Sequence, residues 1–218
     1  MPLATAETIQ AVQHHARLVQ LLRLAYSAER AAAYAYIGHA GSVNDPTQKA
    51  ALTQIEADEW DHRAAVLQIM QTYDIGVSRI LELRFFLVGK VIAASCYLIG
   101  WFMPYYFAGR LESGNVCEYF IMQQYFHEIG ITDHDHVLCE MGIKEKEHEQ
   151  FFLDGLANKR LLPIFQRLFA WGSGASYNDV DLAATHDPAS SSRYCQPDPD
   201  DSGRARPSRR LRSITPAT

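Results

Sequence analysis

Apolar residues recur at three- and four-residue intervals along most of the first 170 residues, and this spacing predicts α-helices separated by short polar breaks. A first helical run covers about residues 8–39, as one long helix or two short helices in series, and ends at Gly41 and Ser42. Asp45 followed by Pro46 is typical of a helix start, and it opens a second helix that extends to about Tyr73.

The same pattern predicts three further long helices and a short one. Ser78 is the predicted cap of a helix over about residues 79–102, and Pro104 is expected to break or kink the chain. A helix then begins at Pro104 or Arg110 and ends near Glu128. After a turn over 130–133, another helix extends to about residue 156, and a short amphipathic helix covers about 161–171. Apolar alternation at a period of two residues is absent, so no strand is predicted.

The pattern therefore predicts an all-α fold in one domain over residues 1–172. We expect a four-helix bundle with an additional short C-terminal helix, because of the ligand pattern described below. From residue 173 to residue 218, Ser, Pro, Asp and Arg dominate and large apolar residues are scarce, which predicts a disordered tail. The formal charge of the chain is −5, which gives no reason to expect nucleic-acid binding. Residues 203–218 carry five arginines and no acid, as is typical of a solvated or membrane-surface segment.

Acidic residues and histidines repeat along the predicted helices as two similar halves. Each half has a lone Glu, followed about one helical hairpin later by Glu-x-x-His, and the interval between the two glutamates is 30 residues in one half and 27 in the other. One Glu-x-x-His is common by chance, whereas two at matching intervals are not. The six residues are Glu29, Glu59, His62, Glu118, Glu145 and His148. This is the ligand set of a di-iron carboxylate site in a four-helix bundle.

The chemistry of these residues agrees with their spacing. Three residues are close to one helical turn, so the Glu and His of each Glu-x-x-His project from one face. Carboxylates and imidazoles suit two iron ions (Fe2+/Fe3+) that react with O2, and carboxylate-rich sites also accept manganese. Glu59 and Glu145 are the expected bridging ligands. Tyr36 and Tyr125, each seven residues after a lone Glu, are candidates to hydrogen-bond a ligand carboxylate, with core packing as the alternative. No catalytic residue beyond the metal ligands is predicted.

An apolar, aromatic segment over residues 85–109 is about long enough to span a membrane, but it contains Lys90, Gly89, Gly100 and Pro104. We expect it to be buried in the bundle or in a homodimer interface instead. A third possibility is a surface that dips into one leaflet, with Trp101, Tyr105 and Tyr106 at headgroup depth.

The cysteines and the N-terminus predict a cytoplasmic protein. The four cysteines form no C-x-x-C pair, which argues against a zinc knuckle or a rubredoxin-type iron site. Cys96, Cys117 and Cys139 lie in apolar helical stretches, where reduced, buried thiols are expected. The first ten residues have neither a basic region nor an apolar region typical of a secretory signal.

Four sequence runs together resemble the ferritin-like demethoxyubiquinone hydroxylase family over about residues 18–158: YSAERAAAYAYIGHA, IEADEWDHRAAVLQIM, GRLESGNVCEYF and IKEKEHEQFFLDGL. The resemblance implies a ferritin-like bundle in which the six residues above bind two irons. It also implies O2-dependent hydroxylation of a quinone-like lipid in ubiquinone biosynthesis, with a reductant such as NADH. Enzymes of this family attach peripherally to a membrane, which would place the protein at the inner face of the cell membrane.

Other functions use the same kind of bundle. One is peroxide reduction of the rubrerythrin type, in a form that lacks the C-x-x-C iron site. Another is a tRNA hydroxylase, for which the C-terminal arginines would be the only basic cluster. A third is iron storage or a binding module, which requires no enzymatic activity.

Overall fold

The computed structural model describes residues 4–169, and within this range the chain is all-helical, as predicted, with no strand. The seven helices are α1 (Ala6–His14), α2 (Ala16–Ser42), α3 (Pro46–Thr72), α4 (Arg79–Cys96), α5 (Phe102–Glu128), α6 (Asp135–Leu156) and α7 (Leu162–Phe169). The predicted domain boundary at 172/173 and the predicted disordered tail lie outside the described residues.

Two of the predicted helix starts have the predicted caps. The Asp45 carboxylate accepts a hydrogen bond from the backbone N–H of Gln48 at 2.8 Å, and Pro46 occupies the first position of α3, where its missing N–H costs nothing. The Ser78 hydroxyl accepts from the N–H of Leu81 at 3.4 Å and opens α4. Both signals could be found in the sequence because capping depends on residues close in the chain.

The first helical run is two helices in series, and His15 lies at the break between them. Its Nδ1 accepts a hydrogen bond from the backbone N–H of Leu18 at 3.1 Å, so the imidazole caps α2. Its Nε2 lies 3.0 Å from the carboxylate of Glu128, at the end of α5. One side chain therefore starts one helix and connects it to another.

The region around Pro104 differs from the prediction. Helix α4 ends at Cys96, about six residues earlier than expected, and Gly100 adopts a left-handed conformation (φ +73°) in the connection. Helix α5 begins at Phe102, so Pro104 lies in its first turn. Because the first N–H groups of a helix have no intrahelical acceptor, Pro104 neither breaks nor kinks the chain there.

The first compact unit comprises the described residues up to Pro104 together with Tyr125–Val137. Its central element is α2, which packs against both α3 and α4. Glycines allow α2 and α4 to approach closely: a Cβ atom added at Gly38 would lie 2.3 Å from the Cα of Ala93, and one added at Gly89 would lie 2.8 Å from the Cα of Ala31. The close spacing of α2 and α4 therefore requires glycine at positions 38 and 89.

The second compact unit comprises Tyr105–Gln124 and the described residues from Leu138 onward. Within it, Gly142 of α6 packs against the ring of Phe120 of α5, and a Cβ atom there would lie 3.0 Å from the ring. The Tyr106 hydroxyl donates to the backbone carbonyl of Phe165 at 3.1 Å, and the Tyr106 ring also packs against Phe169. These aromatic contacts attach α7 to α5.

Within residues 4–169, no helix is both long and apolar enough to cross a membrane. The placement of Tyr105 and Tyr106 at headgroup depth is wrong, because both side chains are buried in the core; Trp101 is 42% exposed. Cys96 and Cys139 are free and buried, as expected. Cys117 is disulfide-bonded, so the expectation of a reduced thiol is wrong at that position.

Candidate metal centre

Buried carboxylates and imidazoles form two overlapping groups in which the ligand atoms all lie within 4.8 Å of one another. The first group consists of Glu29, Glu59, His62 and Glu145. The second group consists of Glu59, Glu112, Glu145 and His148. Carboxylate oxygens and imidazole nitrogens are ordinary metal ligands, so each group could hold a metal ion. Glu59 and Glu145 belong to both groups, which is what a bridging carboxylate requires.

The donor set fits a pair of divalent cations. All six side chains are at most 6% exposed. Burying an ionised carboxylate is costly unless it is paired or bound to a metal, and four carboxylates here share one small volume. Two divalent cations would neutralise their four negative charges, and the two imidazoles would add neutral nitrogen ligands. The number and type of donor atoms therefore fit two divalent metal ions, and they would also accept a single ion.

Helical geometry explains how these residues come together. Glu59 and His62 lie one turn apart on α3, and Glu145 and His148 lie one turn apart on α6, so each pair projects from one face of its helix. His148 Nδ1 lies 3.9 Å from a carboxylate oxygen of Glu145, close enough for both to contact one ion.

Helix α5 contributes Glu112 to these groups, and Glu118, the ligand predicted from the sequence, belongs to neither of them. The Glu112 side chain is buried, whereas Glu118 is partly exposed. Leu111, seven residues before Glu118 and therefore on the same side of α5, is 58% exposed. The sequence interval could not distinguish the two glutamates, because Glu112 lies 33 residues before Glu145 and Glu118 lies 27 before it.

Asn115, one turn after Glu112, is a further residue at this site that the sequence reasoning missed. Its side-chain amide nitrogen donates to carboxylate oxygens of Glu112 at 3.2 Å and of Glu145 at 3.4 Å. A single amide therefore holds the carboxylates of α5 and α6 in fixed orientations. The signal in the sequence is a Glu-x-x-Asn at the same spacing as the two Glu-x-x-His pairs.

The two tyrosines proposed to orient a ligand are both buried. The Tyr125 ring packs against the imidazole of His15, with ring centroids 5.0 Å apart. That contact is the core packing considered as the alternative role for Tyr125. The hydrogen bond from Tyr36 or Tyr125 to a ligand carboxylate stays a prediction.

Other buried ionisable groups lie outside the two groups of ligands. Lys146 and Glu149, each directly after a ligand of α6, form a fully buried ion pair at 2.9 Å, which adds no net charge. Burial lowers the pKa of His39 to about 4. Burial also lowers the pKa of His134, against the charges of Asp133 and Asp135, and the His134 Nε2 lies 2.7 Å from the hydroxyl of Tyr73. Both histidines are therefore neutral near pH 7.

Comparison of the chain with protein-family models, with curated proteins and with solved structures finds no match. The class of this protein is therefore defined by its fold and its site alone. It is a helical protein whose buried carboxylates and imidazoles could hold a metal ion.

Proposed function

We propose that this protein is a di-iron monooxygenase on a ferritin-like four-helix bundle, and that it uses O2 to hydroxylate a quinone-like lipid, as demethoxyubiquinone hydroxylases do. The observation that carries the proposal is that Glu59 and Glu145 each belong to both buried groups of ligands. Two adjacent metal ions that share carboxylates are the arrangement of di-iron carboxylate proteins.

In this proposal, Glu29 and His62 hold one iron, Glu112 and His148 hold the other, and Glu59 and Glu145 contact both. A bound iron pair would pass the electrons of the reductant to O2 and would supply the open coordination positions that reduction of O2 requires. The burial of all six side chains keeps the site away from bulk water, and the amide of Asn115 fixes the orientation of Glu112 and Glu145.

The reaction balances with a two-electron reductant such as NADH. One oxygen atom of O2 enters the quinone ring as a hydroxyl group, and the ring loses one C–H bond. The other oxygen atom leaves as water, with two electrons and one proton from the reductant and a second proton from solvent. The protein therefore needs three partners: the lipid, O2 and the reductant.

The exposed side of α4 supports access to a lipid substrate. Large apolar side chains at helical spacing are exposed along it, and the principal ones are Ile80, Leu83, Leu87, Val88 and Val91. Except for Glu82, the charged residues of α4 are the exposed bases Arg79, Arg84 and Lys90. An apolar stripe flanked by bases is typical of a helix that lies in the surface of an anionic membrane. We therefore propose peripheral attachment through α4, at the cytoplasmic face.

Anaerobic titration with Fe2+ tests the metal centre, and a product assay tests the reaction. We expect the full chain to bind two irons, and Glu59→Ala to lose at least one of them, because Glu59 belongs to both groups. Asp61→Ala, an exposed acid on the same helix, is the matched control and should retain both irons. With NADH and a demethoxyquinone extract, isotopically labelled O2 should place one labelled atom in the product. Two irons in Glu59→Ala would contradict the centre, and consumption of peroxide without hydroxylation would point to a peroxidase instead.

A further inference from the structure

Glu82 of α4 connects α2 and α3, the helices that carry Glu29, Glu59 and His62 of the first group. One carboxylate oxygen lies 3.1 Å from Nη1 of Arg63 on α3, and the other lies 2.7 Å from Nη2 of the same guanidinium. This second oxygen also accepts a hydrogen bond from Nη1 of Arg30 on α2, at 3.1 Å. A single acidic side chain therefore binds α2 and α3 at once.

The positions of the two arginines relate this contact to the metal centre. Arg30 directly follows Glu29, and Arg63 directly follows His62. Neighbouring residues of a helix differ in direction by about 100° and share a rigid backbone, so fixing one side chain fixes the rotation of the other. Holding both guanidiniums on Glu82 therefore restricts how α2 and α3 can turn, and with them the directions of Glu29 and His62.

Further contacts make the two guanidiniums rigid. Arg63 also donates to the backbone carbonyl of Tyr26 and lies over the Tyr26 ring, 3.6 Å from its centroid. Arg30 lies 4.8 Å from the centroid of Phe86, on α4. The Arg63 side chain is 13% exposed and that of Glu82 is 17% exposed, so water screens this pair less than an ordinary surface pair.

Glu82 is ionised in this setting. Burial opposes its ionisation, but hydrogen bonds from Arg63 and Ser27 and the charges of Arg63 and Arg30 hold the pKa of Glu82 below its ordinary value. A planar guanidinium that contacts both oxygens of a carboxylate fixes direction as well as distance. The contact therefore sets an orientation, which a single point charge would not do.

We propose that Glu82 is a positioning residue for the metal centre, which through Arg30 and Arg63 holds Glu29 and His62 in the orientation that binds one ion. The inference rests on the proposed metal centre and extends it by making the two ions unequal in their dependence on α4. Glu29 and His62 belong to the first group only, whereas Glu112 and His148 belong to the second group only. Glu59, which belongs to both groups, also lies on α3, so loss of Glu82 should weaken the binding step of the first group strongly and that of the second group by a smaller factor.

Anaerobic titration of the full chain with Fe2+ alone, resolved into its two binding steps, tests this inference. We expect Glu82→Gln to weaken one step about 10- to 100-fold, as is common when a residue that orients a metal ligand is lost, and to weaken the other step by a clearly smaller factor. The double variant Arg30→Gln/Glu82→Gln restores the net charge of the three-residue cluster and should behave in the same way. If Glu82→Gln weakened binding only by making the electrostatic potential at the metal centre more positive, the double variant would regain the affinity of the unchanged protein.

Two controls separate positioning from general stability. Val12→Ala, on α1, leaves a cavity in the core where the buried valine side chain packs. It should lower the unfolding temperature while leaving both binding steps unchanged. If Glu82→Gln does not fold, Arg30→Gln alone removes one of the two hydrogen-bonded arms and should weaken the same step by less. Equal weakening of both steps, or no weakening, would overturn the inference while leaving the metal centre intact. Failure of the unchanged protein to bind any metal would overturn both.

Discussion

Glu112 and Glu118 lie six residues apart on α5, yet Glu112 is buried beside Asn115 while Glu118 is partly exposed. Six residues at 3.6 residues per turn leave the two side chains on clearly different sides of the helix. Only Glu112 belongs to a group of ligands. The two glutamates are thus a natural matched pair for testing which one binds metal.

Glu112→Gln should reduce the iron bound per chain from two to about one, because an amide oxygen is a much weaker ligand than a carboxylate. Glu118→Gln removes the same charge from the same helix and should retain two irons. Iron analysis after anaerobic loading and gel filtration measures both. The opposite result would restore Glu118, the ligand predicted from the spacing of the sequence.

Asn115→Ala should weaken iron binding about 10- to 100-fold without changing the number of irons bound at saturation. The reason is that its amide orients the carboxylates of Glu112 and Glu145 without being a ligand itself. Gln150→Ala is the control, because it removes an exposed amide that donates to Asp154 at 2.6 Å on α6. Equal affinities in Asn115→Ala and the unchanged protein would show that the amide has no role in binding.

Gly38→Ala should destabilise the fold by about 1–3 kcal/mol or more, because the added Cβ would lie 2.3 Å from the backbone of Ala93 and α2 and α4 would have to separate. Gly114→Ala is the matched control within a helix, since nothing lies within 4 Å of a Cβ there. It should be neutral or stabilising by up to about 1 kcal/mol, from helix propensity alone. Urea unfolding followed by circular dichroism measures both, and equal stability of the two variants would contradict the close approach.

Stability should fall as the pH drops from about 6.5 to about 4, in part because of His39. Burial lowers the pKa of His39 from 6.5 to about 4, so within this interval the unfolded chain binds a proton that the folded chain does not. The contribution of neutral His39 to the free energy of unfolding is fully present above pH 6.5, declines as the pH falls below 6.5, and is lost by about pH 4. Its full size is on the order of 3 kcal/mol. Urea unfolding of metal-free protein at several pH values should show a shallower decline in His39→Gln, and parallel curves would contradict the assignment.

Replacing Leu83 and Leu87 by Glu should abolish binding to vesicles that contain anionic lipid, since both side chains are more than half exposed on the apolar stripe of α4. Leu111→Glu is the control, because Leu111 is equally exposed but lies on α5. Co-sedimentation with vesicles measures the effect. If the double variant changes the sedimentation coefficient of the lipid-free protein instead, the stripe is an interface between two copies of the chain.

The sequence predicted local features well because they depend on residues close together in the chain. The caps Asp45 and Ser78 are examples, since each contacts the third residue after it. The Glu-x-x-His pairs of α3 and α6 could be found for the same reason, because one turn of helix places both side chains on one face. The structure brings Glu59, His62 and Glu145 together with Glu29, and His148 belongs to the second group with Glu59 and Glu145.

Other features depend on tertiary contacts that periodicity does not encode. The choice between Glu112 and Glu118 depends on which side of α5 is covered, and the intervals between glutamates do not give that side. The sequence left open whether Tyr105 and Tyr106 are buried or lie at headgroup depth, and the contacts that bury them come from α6 and α7. Pro104 was expected to break a helix, and its position in a first turn could be known only from where α5 begins.

The imidazole of His15 can make both of its hydrogen bonds in only one neutral tautomer. Nδ1 must be unprotonated to accept from Leu18, so the ring proton lies on Nε2, where it can be donated to Glu128. Asparagine at this position could still cap α2, but its shorter side chain could not reach across to α5 as well. Sequence variation at position 15 should therefore be narrow in any chain that keeps this junction, even though the residue belongs to neither group of candidate ligands and lies at a break between helices.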